Sequence, residues 1–248
     1  MKKEVISSPQ NPLFKELKRL SVDSGYMVLE GRRLVADALA RGIEPMYAAV
    51  TPEYLLLHGP FEGPHYTLSQ KLFLRLCDTK NPQGLLVIAE VPFVDISAIQ
   101  GIERIVILDR LQDPGNVGTI IRTADAFGFG AVVITPSSAA PFSPKAIRAS
   151  MGSCLGLKIV RAVPREVSSL PHRIITLDAH GESVMSGDLF RSPMAICLGQ
   201  EASGVSPELT AISNCCVRIP MKGDTESLNV AVAAGIVMAC AAGIFPLS

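Results

Sequence analysis

Apolar residues recur along this chain in two rhythms. Between residues 104 and 219 six short, almost uninterrupted apolar runs appear: RIVIL (104–108), AVVI (131–134), LKIV (157–160), RIITL (173–177), MAICL (194–198) and CVRI (216–219). Strands with no polar alternation are buried on both faces, and helical or loop stretches separate these, so they predict a mainly parallel sheet covered on both sides. The earlier part mixes periods. Ser8 to Leu20 places Pro9 and Pro12 near a helix start, then Leu13, Leu17 and Leu20 at helical spacing with Lys15, Lys18 and Arg19 between them. This predicts a short amphipathic basic helix. YMVLEG then leads into RRLVADALARG, where Leu34, Val35, Ala38 and Leu39 share a face and Gly42 stops the helix. PMYAAV, TPEYLLL, SQKLFLRLCD and GLLVIAEVP follow as strand, helix, helix and strand. Pro92 to Gly101 shows no strong periodicity. The expected organisation is therefore a first, smaller α/β domain over 1–94, a linker over 95–102 and a second α/β domain over 103–248.

Composition narrows the picture. A chain of 248 residues, 48% hydrophobic and 19% charged, is not disordered. It can bury enough surface to fold without disulfides or a structural metal. Lys plus Arg and Asp plus Glu are both 23, so the net charge is zero. Before Val94 there are 11 basic and 10 acidic residues, and after it 12 and 13, so neither half is a charged tail. Any contact with nucleic acid must be local. The six cysteines show no CxxC spacing and sit mostly in apolar runs, which predicts reduced core residues. The four histidines do not complete a ligand set with them, so no metal site is expected.

MKKEVISSPQNPLF lacks the apolar stretch of a secretory signal. Ser227 to Ser248 is uncharged over 22 residues, but it is rich in Ala and Gly, contains Asn229 and reaches Pro246. It reads as a small-residue helix packed against protein instead of a membrane span. A cytoplasmic protein without membrane contact is expected.

The familiar phosphate cradles are missing: no GxGxxG follows a strand, no GxxxxGK[ST] occurs, and no GxSxG elbow is present. Three polar, glycine-bearing stretches near strand ends stand out instead, where open α/β sheets bind ligands. In LDRLQDPGNVGTIIRTADAFGFG, Asp113 to Asn116 make a turn and Asn116 can cap the helix that follows. Arg122 lies off that helix's apolar side, two turns from the loop, where its guanidinium can grip a phosphate with two donors. LGQEASGVSPEL carries Gly199 and Gly204 around Glu201. RIPMKGDTESLNVAVAAGI breaks a strand at Pro220 and starts a helix near Ser227 and Asn229.

These three stretches resemble, in order, spacing and most letters, the signature motifs of the SpoU, or TrmH-type, RNA 2′-O-ribose methyltransferases of the SPOUT superfamily. EGRRLVADAL and GLLVIAEVP are similar to that family's ribosomal-protein-like substrate-binding domain. The resemblance implies a C-terminal SPOUT α/β domain with a trefoil knot, a homodimer built on it, and S-adenosylmethionine bound in the knotted loops without a metal. It implies catalytic positions at Asn116, Arg122, Glu201, Ser227 and Asn229; Arg122 is expected to fix the RNA phosphate, with Ser227, Asn229 and Glu201 orienting Arg122 and the substrate. Gly199, Ile219 and Leu228 fall where the family's backbone holds the cofactor, with Leu177, Leu198, Gly204 and Met221 as wall residues. Because a guanidinium is essentially always charged, Arg122 suits stabilisation of a developing alkoxide better than proton abstraction.

Ser143 to Arg165 holds five basic residues and no acid, a concentration in a neutral chain that favours RNA. Lys145 and Arg148 are its best-placed phosphate contacts; Lys15, Lys18, Arg19 and Arg32 are further RNA-binding candidates. The expected reaction is methylation of a ribose 2′-hydroxyl, with ribosomal RNA favoured by analogy with the family. The alternatives are a non-catalytic RNA-binding or ribosome-assembly factor and a base methyltransferase.

Overall fold

The computed structural model describes residues 5–21, 23–178, 181, 183–184, 187–190, 192–201, 203–223 and 227–244. The chain divides into two units, one of residues 1–92 with 142–144, the other of residues 93–141 with 145–248.

In the first unit the elements are α1 (Pro12–Leu20), β1 (Tyr26–Glu30), α2 (Arg32–Ala40), β2 (Tyr47–Val50), α3 (Pro52–His58), β3 (Tyr66–Thr67), α4 (Gln70–Phe73) and β4 (Leu85–Glu90). The strands lie in the order β1-β4-β2-β3, antiparallel except for the β2–β3 pair. Asn11 caps α1, whose Phe14, Leu17 and Leu20 are buried in the core with Val28, Leu86 and Ile88. The buried stripe thus begins at Phe14, with Leu13 only partly covered, because Phe14 is the residue in step with Leu17.

The second unit contains β5 (Arg104–Leu108), α5 (Pro114–Ala126), β6 (Ala131–Ile134), α6 (Pro144–Ser150), β7 (Lys158–Arg161), α7 (Pro164–Val167), β8 (Arg173–Leu177), β9 (Ser183–Val184), β10 (Met194–Leu198), α8 (Pro207–Ala211), β11 (Cys215–Arg218) and α9 (Val230–Ala241). Its sheet runs β7-β6-β5-β10-β8-β11-β9, and every neighbouring pair is parallel. All five residues of β10 are buried, as are all four of β6, which is what their unbroken apolar sequence requires of strands covered on both faces. The carboxyl ends of all these strands share one edge, and the order reverses between β5 and β10, so loops after β5, β8, β10 and β11 converge.

The segment expected as a linker over 95–102 belongs to this second unit. Ile99 is fully buried, and Val94, Ile96 and Ile102 pack on the same core. A short 3-10 helix over Ile96–Ile99 brings Ile96 and Ile99 to one side, a spacing too brief to register as periodicity. Lys158 Nζ donates to the Ala98 carbonyl at 2.9 Å, and the Arg161 guanidinium lies 4.1 Å over the Phe93 ring. Both basic groups are therefore engaged in holding this segment.

Burial pushes the Cys77 thiol up to about 12, and burial with nearby Asp109 pushes Cys197 up as well, so neither is a ready nucleophile. Among the described residues no group of three or more His, Cys, Asp or Glu is placed to hold a metal ion, and no helix is long and apolar enough to cross a membrane. Pro246, at the end of the uncharged stretch, and Asp224 to Glu226, within the third polar loop, lie outside the described residues.

Candidate active site

The loops that leave β8, β10 and β11 enclose a cavity of about 450 Å³. Leu177, Leu198, Gly199, Gly204, Ile219, Met221 and Leu228, the seven residues expected around a cofactor, all line it, together with Asp178, Gln200, Glu201 and Ser227. Apolar side chains and polar loop groups share the wall, a combination that suits an amphipathic ligand with a heterocycle and a charged end.

The wall depends on a tight turn after β10. Gln200 N–H donates to the Gly204 carbonyl at 3.1 Å, and Gly204 N–H donates to the Gln200 carbonyl at 2.8 Å. Gly204 has a φ of +64°, in the left-handed region. Gly199 lies against it so closely that a Cβ at 199 would stand 2.1 Å from the Gly204 carbonyl carbon and 2.2 Å from Val205 N. Only a residue without a side chain fits there.

Two residues outside the expected set anchor this turn. Asp109, 1% exposed, accepts from Thr135 Oγ1 at 2.8 Å and from Ser206 N–H at 2.7 Å. Its neighbour Arg110 donates from Nη2 to the Gly204 carbonyl at 3.1 Å. Arg110 holds φ at +58°, a conformation rare outside glycine and usually retained where the surroundings over-determine it. Asp109 and Arg110 follow directly on β5, yet a buried anchoring acid reads in sequence like any loop acid; the only signal was a charged pair at a parallel strand's carboxyl end. Asp109→Ala leaves the Ser206 N–H and Thr135 hydroxyl without their acceptor, so a stability loss of about 2–4 kcal/mol is expected from thermal or urea unfolding. A loss below about 0.5 kcal/mol would show that the turn holds itself.

The catalytic candidates separate into a bonded cluster and one isolated cation. Asn116 does not cap α5. Asp113 does, accepting from Gly115 N–H at 2.9 Å, with Pro114 at the first helical position. This leaves the Asn116 side chain free to donate to Glu201 Oε1 at 2.6 Å and to accept from Asn229 Nδ2 at 3.2 Å. Asn229 caps α9, its Oδ1 accepting from Ala231 N–H at 2.9 Å. One chain of side chains thus ties together the loops after β5, β10 and β11. Ser227 and Glu201 stand on the cavity wall.

Arg122 is exposed on α5, does not line the cavity, and makes no hydrogen bond or ion pair among the described residues. Glu201 and Asn229, expected to orient it and the substrate, both bond to Asn116 instead of to Arg122. Six residues at about 100° each put Arg122 roughly 120° around the helix from Asn116, which is why the same partners do not serve both.

The candidate RNA contacts differ in how freely their charge is held. Lys145 forms an ion pair with Asp113, whose carboxyl is held below the usual carboxylate range by the Lys145 ammonium and the Gly115 N–H. Its side chain is still 57% exposed, and Arg148 one turn later is exposed too. On α1, Lys15 and Lys18 face solvent, whereas Arg19 is engaged by Glu16 at 2.8 Å and Asp23 at 3.4 Å. Acids at i−3 and i+4 lie within reach of Arg19 on a helix, and its side chain is still 57% exposed. Arg32 is exposed at the start of α2, on the rim of a cavity that Arg33, Tyr54, His58 and Gln83 also line.

Residues 103–239 match the SpoU rRNA Methylase family. The chain is 29% identical over 245 residues to the 23S rRNA (guanosine(2553)-2′-O)-methyltransferase of Bacillus subtilis (strain 168), covering 94% of this chain and 97% of that one. Among solved structures, the AdoMet-bound rRNA methyltransferase from Sinorhizobium meliloti superposes with a TM-score of 0.84 at 28% identity over 99% of both chains. The SpoU methyltransferase AviRb from Streptomyces viridochromogenes, in complex with the cofactor AdoMet, gives 0.78 at 26% identity over 94% of this chain and 98% of that one.

Proposed function

Since the chain belongs to the SpoU rRNA methylase family, we propose that it transfers a methyl group from S-adenosylmethionine to a ribose 2′-hydroxyl of ribosomal RNA. The observation that carries this reading is a cavity of about 450 Å³ whose wall includes Glu201, itself bonded to Asn116, with Asn116 bonded in turn to Asn229. The residues fit the cofactor: the Gly199–Gly204 approach leaves backbone instead of side chains at the floor, and Leu177, Leu198, Ile219, Met221 and Leu228 offer apolar cover for a heterocycle. When bound, S-adenosylmethionine supplies an already activated methyl on a sulfonium, so no metal is needed.

The chain's own task is alignment and charge. Glu201 and Ser227 face the cavity and hold the ribose, while Asn116 and Asn229 fix the position of Glu201. Arg122 has no partner among the described residues, so its guanidinium is available to an RNA phosphate with two donors and stabilises the developing alkoxide. The hydroxyl proton leaves to a neighbouring carboxylate or solvent, since a guanidinium does not accept it.

The knot, the dimer and the compartment belong to the same reading. A trefoil knot is supported by the close passage of Gly199 against Gly204 and of Gly181 against the backbone of Val217 and Arg218. A homodimer through α9 is supported by its exposed Val232 beside Ala and Gly positions that permit close approach. A ribosomal RNA substrate supports a cytoplasmic location.

Calorimetric titration with S-adenosylmethionine, followed by transfer of labelled methyl to ribosomal RNA, tests the reading; absence of both binding and transfer would remove it. Lys145→Glu with Arg148→Glu is expected to weaken RNA affinity at least tenfold in filter binding and to flatten its dependence on salt, since fewer phosphates are neutralised, while cofactor affinity stays within twofold. Equal loss of both would show a folding defect in place of a phosphate contact.

A further inference from the structure

A second cavity, of about 580 Å³, opens on the same carboxyl edge of the sheet, where the chain leaves β5, β6 and β7. The cofactor reading gives it no role. Resting on the proposed RNA substrate, we propose that this cavity takes an unpaired base of that RNA, one other than the nucleotide being methylated.

Its chemistry points to a neutral heteroaromatic group. Pro136, Val163, Pro164 and Ile212 give it apolar walls. Arg110 and Arg165 are balanced by Asp109 and Glu208, so the lining carries no net charge and has little to offer a free anion. What remains is an apolar-walled space with donors and acceptors at its edge, a chemistry that suits a nucleobase. Ser206 makes the edge specific. It is 5% exposed, lines the cavity, and its Oγ is buried without a hydrogen-bond partner among the described residues. An unsatisfied buried hydroxyl costs free energy that a ligand's polar edge would recover.

Two non-glycine residues on the wall, Arg110 at φ +58° and Ser137 at φ +68°, hold left-handed conformations, and such strain gathers at ligand clamps. The placement also suits RNA that is already engaged at the cofactor cavity. Gly204 lines one cavity and Ser206 the other, so two residues, at most about 7 Å of chain, separate the walls. A strand of RNA whose ribose meets Glu201 has neighbouring nucleotides within reach of Ser206, and sequence-specific recognition of RNA works through bases turned out of the stack.

The test uses the full chain with saturating S-adenosylmethionine and ribosomal RNA transcribed with 4-thiouridine or, separately, 6-thioguanosine. After irradiation, mass spectrometry is expected to find crosslinks on peptides spanning 134–137 and 163–168. Val163→Trp and Ser168→Trp each fill the mouth from an exposed position. Each is expected to remove those crosslinks and lower kcat/KM for RNA at least tenfold, with the melting temperature and cofactor affinity unchanged. Crosslinks only elsewhere, or kcat/KM within twofold of wild type in both variants, would overturn the proposal. Wild-type protein that crosslinks at these peptides but transfers no methyl would overturn the catalytic reading and leave the base site standing.

Discussion

Gly199→Ala is expected to lower S-adenosylmethionine affinity about 100-fold, which corresponds to about 2.7 kcal/mol. The methyl group would meet Gly204 and Val205 backbone atoms at 2.1–2.2 Å, and backbone cannot rotate away as a side chain can. The turn must open, and it forms the cavity wall that carries Gln200, Glu201 and Ser203. Overpacking of this kind costs about 1–3 kcal/mol, so a fall in melting temperature of roughly 3–10 °C should accompany the loss of binding. Gly223→Ala is the matched control, because no described residue lies within 4 Å of a Cβ at that position. Its affinity should stay within twofold. Near-normal binding by Gly199→Ala would mean that the cofactor does not depend on this turn.

Arg122→Ala is expected to leave cofactor binding unchanged and to lower kcat about 100- to 1,000-fold, the usual cost of removing one preorganised charge from the site where negative charge develops. The separation between the two effects follows from geometry: Arg122 is absent from the cavity wall and bonds to none of its residues. Arg122→Lys tells charge from shape. A lysine keeps the charge but loses the planar fork, so it should recover only a small part of the rate. Full recovery would exclude a bidentate grip on phosphate, and a shift in cofactor affinity would show that Arg122 belongs to the other cavity face.

Much of the second unit was legible because parallel strands buried on both faces leave long apolar words. RIVIL, AVVI and MAICL are strands to the residue. The two-residue strands Tyr66–Thr67 and Ser183–Val184 were not legible, since two residues carry no period. The supposed linker failed for a related reason: Ile96 and Ile99 repeat only across a single 3-10 turn, with Ile102 just beyond it.

The site was legible in a different way. Gly199, Gly204 and the polar loop residues stood out at strand ends, but their assignment to a cofactor wall came from resemblance and not from any periodicity. Asn116 was misread as a cap because Asp113 and Pro114 compete for the same helix start, and its true bonds cross 85 and 113 residues of sequence. Asp109 and Arg110 escaped because their partners Ser206 and Gly204 are equally distant along the chain.

The central claim is ribose methylation, and alkaline hydrolysis tests it most directly. RNA from cells lacking this protein is incubated with the full chain and S-adenosylmethionine labelled in the methyl group, then hydrolysed in alkali. A 2′-O-methyl group blocks cleavage of its own phosphodiester, so the predicted label appears in alkali-resistant dinucleotides. Label found only in mononucleotides would contradict the claim and identify a base as the methyl acceptor.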